Sequence, residues 1–114
     1  MSDQLYTSNN LTGSNTVTAS AQAGQDSIDI LVANGPGTLS GSVRIFSSDD
    51  NSGLNFTVGV NGAAVSAPTA GPNNSVVELE ITTPTALNAN DLVQVAIIGG
   101  GGAVGKVTAT ATLT

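Results

Sequence analysis

Leu54-Asn55-Phe56-Thr57-Val58-Gly59-Val60-Asn61-Gly62 decides how this chain is read. Leu54, Phe56, Val58 and Val60 fall on every second position, with Asn55, Thr57 and Gly59 between them. A period of two is the signature of a strand with one face buried. Asn61-Gly62 then supplies the pair that a type I′ hairpin turn prefers, and Ala63 to Ser66 is expected to return, stopping before Pro68.

The same alternation spreads in both directions. Toward the N-terminus, Leu39, Gly41, Val43 and Ile45 line one face of a strand, with Ser40, Ser42, Arg44 and Phe46 on the other. Asn34-Gly35-Pro36-Gly37 breaks the chain before it. Ile28, Ile30 and Val32 form an earlier strand, with Asp29 and Leu31 opposite. Val17, Ala19 and Ala21 alternate with Thr16, Thr18 and Ser20. Toward the C-terminus, Val77, Leu79 and Ile81 alternate with Glu78, Glu80 and Thr82 up to Pro84. Val93, Val95 and Ile97 follow the Leu87-Asn88-Ala89-Asn90-Asp91 turn, and Val107, Ala109, Ala111 and Leu113 alternate with threonines to the end. About seven or eight strands, punctuated every ~8–15 residues without helical periodicity, predict an all-β fold, a single antiparallel β-sandwich or jelly roll. Small inward residues in the first and last strands imply close sheet packing there.

Residues 1–15 are polar, with only Leu5, Tyr6 and Leu11 as apolar anchors, and read as an N-terminal arm to a sandwich domain over 16–114. The chain of 114 residues is one domain in length. Met1-Ser2-Asp3-Gln4-Leu5-Tyr6 has neither a basic nor an apolar signal region, so the expectation is no cleaved export signal, or a start at a processed end. No apolar run reaches the ~20 residues that span a bilayer, so no membrane insertion is expected.

Composition narrows function. There is no His, Cys or Trp, and Arg44 and Lys106 are the only basic residues. General acid–base and nucleophilic catalysis draw mostly on the missing types, so the expectation is not an enzyme, with no cofactor. Eight acids against two bases give a net charge of −6, which opposes nucleic-acid binding because no basic patch can displace counterions. Charged residues are only 9% of the chain. Its surface is therefore carried by Thr, Ser and Asn, and uncharged faces suit repeated subunit contacts.

Gly99 to Lys106, G-G-G-G-A-V-G-K, imitates the front of a phosphate-binding P-loop. That chemistry needs the glycines to open a helix, whereas Val107 onward alternates as a strand, so the segment reads as a hairpin loop. Asp49, Asp50 and Asn51 offer oxygen atoms but lack the spacing of a calcium loop; with Asn73 and Asn74 they are the candidate interaction residues. Glu78 and Glu80, two residues apart on one strand, read as solubilising charges rather than a glycosidase pair. The Asn-x-Ser/Thr triplets at Asn10, Asn55 and Asn73 carry little weight in so Asn-rich a chain.

Gly37-Thr38-Leu39 through Val60-Asn61-Gly62, and later Leu87-Asn88-Ala89-Asn90-Asp91-Leu92-Val93, resemble the C1q/TNF-like jelly-roll modules, which lead through a polar loop into an alternating strand ending in V-N-G. The resemblance covers about half the chain. It implies a compact homotrimer whose outer loops bind a ligand or another protein, as in phage decoration and fibre proteins. Val17 to Gly41 is similar, more weakly, to small fucose-binding lectins. Three functions are therefore expected in order: a homo-oligomeric structural module on a virion or other particle surface, within a larger protein assembly; a carbohydrate- or receptor-binding module using loops Ser47–Gly53, Pro68–Asn74 and Gly99–Gly105, so a possible glycan partner; and a strand-exchanging filament subunit.

Overall fold

The computed structural model describes residues 15–33 and 36–113, so the arm anchors Leu5, Tyr6 and Leu11 lie outside the described residues. Among the described residues ten strands follow one another: β1 (Asn15–Ala21), β2 (Ser27–Val32), β3 (Gly37–Asp50), β4 (Asn55–Val60), β5 (Ala63–Ala64), β6 (Thr69–Ala70), β7 (Asn73–Glu80), β8 (Thr85–Leu87), β9 (Leu92–Ile98) and β10 (Val107–Leu113). Among the described residues no helix is long and apolar enough to cross a membrane.

The pairing is nested. β1 pairs antiparallel with β10, β2 with β9, β3 with β7 and β8, and β4 with β5 and β6. Each pair encloses the next in sequence, which describes one long antiparallel hairpin. Rolling that hairpin adds the β10–β3 and β9–β4 pairings and sorts alternate pairs into two sheets, ordered β1-β10-β3-β7 and β2-β9-β4-β5. Two such sheets face to face make a jelly roll. β5 and β6 share one side of β4, and β7 and β8 share one side of β3. Ten segments thus occupy eight strand positions.

The alternating residues read from sequence fill the space between the sheets. Phe56, Ile28, Ile45, Leu39, Leu79, Val58, Val93, Val95 and Val107 are all fully buried. Where β1 and β10 approach the opposite sheet the inward residues shrink to Ala21, Ala109 and Ala111, so the layers close there without large side chains. Asn61 and Gly62 both have positive φ (52° and 86°), as a type I′ turn demands.

Three assignments need correction, and bulges or a polar core account for them. In β2 the register slips between Asp29 and Leu31. Leu31 turns inward (2% exposed) and Val32 turns out (47%), the reverse of strict alternation. An extra residue in one strand moves every later side chain to the other face. In β3, Gly41 is exposed rather than inward and has φ +77°, opposite a register break in β10. β3 therefore bends there, pairing with β8 before the bend and with β7 after it. Finally, the predicted loop from Ser47 is strand as far as Asp50.

Candidate functional site

The nested topology collects the connections β1–β2, β3–β4, β6–β7 and β9–β10 at one end of the roll. This brings together the three loops picked out in the sequence. Asn51 is their common anchor. Its backbone N–H donates to Pro72 O (2.8 Å), and Leu54 N–H donates to Asn51 O (3.0 Å). Its side-chain amide pairs with the main chain of Val104: Nδ2 donates to Val104 O (3.0 Å) and Oδ1 accepts Val104 N–H (2.8 Å). Nδ2 also donates to Ser47 Oγ at 3.0 Å.

Ser47 completes the anchor. Its hydroxyl donates to Lys106 O (3.0 Å) and accepts the Asp49 N–H (3.0 Å). Ser47 and Asn51 are both fully buried, so their polar groups must be satisfied inside the fold. Sequence reading placed Asn51 among interaction residues. Its donors and acceptor are instead spent holding β3–β4, β6–β7 and β9–β10 together.

The glycine run of β9–β10 is shaped by the same packing. A methyl group on Gly102 would lie 2.6 Å from Gly24 O and 2.7 Å from Gln25 O, and its φ is +94°. That close approach is closed by Gly24 N–H donating to Ala103 O (2.9 Å) and Ala103 N–H donating to Gln25 O (2.8 Å). Gly105 (φ +75°) lies against the exposed Asp49 carboxylate, and its left-handed backbone favours glycine there. The run leads directly into strand β10, not into a helix, so no helix N-terminus is available to hold phosphate. The P-loop likeness is a likeness of letters only.

The remaining candidates sit on the rim. Asp50 is exposed and caps its own turn, Oδ1 accepting from Ser52 Oγ (2.6 Å) and Ser52 N–H (3.0 Å). The Ser52 hydroxyl, and then its amide, hold the Asp50 carboxyl below the usual carboxylate range. Asn73 is the cross-strand partner of Asp50. Asn73 and Asn74 are both exposed, Asn74 with φ +51°. Among the described residues no group of three or more acidic side chains is placed to hold a metal ion.

The second notable surface is the outer face of the β1-β10-β3-β7 sheet, which sequence reading did not single out. Register places Ser20, Thr108, Phe46 and Val76 in one row, and Thr18, Thr110, Arg44 and Glu78 in the next. Phe46 and Val76 are exposed (45% and 47%). They flank a groove of about 320 Å³ lined also by Arg44, Ile45, Thr108 and Thr110. Arg44 Nε stands 3.7 Å from Glu78 Oε2. The alternation of β3 did put Phe46 outward; nothing in the sequence said that its row would end on a second exposed hydrophobe.

Comparison of the chain with protein-family models, with curated proteins and with solved structures returns no match.

Proposed function

We propose that this chain is a non-enzymatic structural module that self-associates and adds to a larger protein assembly, as a virion decoration or fibre protein. The observation that carries this reading is the outer face of the β1-β10-β3-β7 sheet. An exposed Phe46 and Val76 stand in one cross-strand row, bordered by Thr and Ser hydroxyls and by a single ion pair. Aromatic and Arg side chains surrounded by neutral polar groups are what protein interfaces enrich. Charge supports it too: a protein carrying −6 associates most readily through surfaces that are nearly neutral. Size-exclusion chromatography with light scattering tests this. A mass at a multiple of 11.1 kDa is expected, and a strict 11.1 kDa monomer at every concentration would overturn it.

One observation favours a second reading, a carbohydrate- or receptor-binding module. The three loops that such a function would use converge at one end, with Asp50, Asn73 and Asn74 on the rim. A rigid frame presenting several loops at one end is a common way to build a recognition surface. Glycan-array binding with and without calcium separates this reading from the first; silence in both conditions removes it.

A further inference from the structure

β7 is an eight-residue strand at the edge of its sheet. Among the described residues no strand pairs with its outer side over Asn73–Glu80; the only bridge beyond it is Ser66 to Ile81, past its end. A regular edge of this length presents a row of unpaired N–H and C=O groups to any strand that can match it. Sheets protect such edges with charge, and here Glu78 and Glu80 disfavour some registers of pairing with a second copy.

We propose that β7 pairs antiparallel with β7 of a second copy about a two-fold axis, Val76 facing Val76. This rests on the self-associating reading above and names its contact. In an antiparallel pair, residues directly opposite lie on the same face about 4.5–5.5 Å apart, and like charges there are destabilising. A register with Glu78 facing itself, or facing Glu80, sets carboxylates against each other. Two registers that overlap seven of the eight residues escape this. With Val77 facing itself, Glu78 of each copy falls on the exposed Val76 of the other. With Val76 facing itself, Glu78 faces Asn74.

Only the second unites the exposed hydrophobes. Phe46 is the cross-strand partner of Val76, so the row across the joined sheets reads Phe46, Val76, Val76, Phe46. The exposure of Val76 and Phe46 is then explained as the unfinished half of a continuous strip. Glu78 stays beside Arg44, and Glu80 of each copy lies past the end of its counterpart's β7. Like charges thus disfavour several self-pairing registers, and of the two that remain only this one joins the exposed hydrophobes. The result is a dimer, in contrast to the trimer implied by the C1q/TNF resemblance.

The chain has no Cys, so Val76→Cys introduces a single thiol. Oxidation by diamide takes two electrons and two protons from the paired thiols and forms one disulfide. Val76 of two copies would stand within the Cα separation that a disulfide bridges, about 4.4–6.8 Å. Glu80 of the two copies would stand eight residues apart, roughly 27 Å at 3.3 Å per residue. Both positions are exposed, so both variants keep the fold. Val76→Cys is expected to form covalent dimer at least ten times faster than Glu80→Cys. Equal rates, or no dimer from Val76→Cys while the wild type is oligomeric by light scattering, overturn the β7 contact and leave the assembly reading standing. A wild type that is monomeric throughout overturns both. As a second variant, Val76→Lys sets two ammonium groups opposite each other; it is expected to lower the associated mass toward 11.1 kDa, and an unchanged mass also overturns the contact.

Discussion

Replacing Asn51 by Ala removes one small side chain from the surface end of the roll, and the structure predicts a cost far above that of an ordinary loop residue. Three short hydrogen bonds disappear, Nδ2 to Ser47 Oγ, Nδ2 to Val104 O, and Val104 N–H to Oδ1, together with a long one from Nδ2 to Asp49 O (3.5 Å) that adds little. At about 1 kcal/mol each the loss is about 3 kcal/mol. The buried Ser47 hydroxyl keeps Lys106 O and the Asp49 N–H as partners, so the cost rests on the bonds lost at Asn51 itself. Total stability of a domain is about 5–15 kcal/mol, so roughly a third of it is at stake. The assay is urea unfolding: the midpoint should fall with little change in slope. Thermal unfolding should shift down by roughly 10 °C. Asn51→Asp sharpens the test. Its carboxylate would face Ser47 Oγ and Val104 O in a buried place, so its folded-state pKa is raised above the unfolded value of about 3.9. Relative to wild type, that variant should do best at low pH and lose stability as pH rises through the unfolded value. A cost below about 0.5 kcal/mol for Asn51→Ala, the range of ordinary surface changes, would refute the anchoring role.

Glycine need is graded along the β9–β10 loop. Gly101→Ala meets only a left-handed backbone (φ +88°, open space), costing about 1 kcal/mol, whereas Gly102→Ala also drives a methyl into Gly24 O and should cost more in the same melts; equal losses would deny the close approach. Thr57 Oγ1 is buried with no hydrogen-bond partner. Thr57→Val keeps the shape and removes that cost, so it should stabilise by about 1 kcal/mol, and a destabilised variant would contradict the orphaned hydroxyl. Asp91 accepts Asn88 N–H (2.8 Å) and Asn61 Nδ2–H (2.9 Å), and these hold its carboxyl below the usual range. A lowered folded-state pKa means its contribution is present above the unfolded value and is lost as pH falls through the folded one. Asp91→Asn should therefore flatten the decline in stability below about pH 4; an acid limb as steep as the wild type's would contradict the link.

Hydrophobic periodicity carries through to the fold wherever a strand keeps one face buried without interruption. Leu54 to Val60, Val77 to Ile81, Val93 to Ile97 and Val107 to Ala111 all behave this way. It misleads at Leu31, Val32 and Gly41, because a bulge depends on what the partner strand needs and leaves no local pattern. Ser47 was legible in part: it continues the inward positions of Val43 and Ile45, but a polar residue in a polar neighbourhood reads as loop. The role of Asn51 was not legible, since its partners Val104 and Pro72 come from distant loops. The same holds for the outer face, where Phe46 and Val76 are 30 residues apart in sequence and meet only through register.

The claim that this molecule works by joining its own copies through an exposed sheet is tested most directly by amide hydrogen exchange on dilute and concentrated protein. Protection should rise with concentration on those β7 amides that lack a partner within the chain, while core strands β9 and β10 stay unchanged. Identical exchange at both concentrations, with β7 open in each, would contradict it.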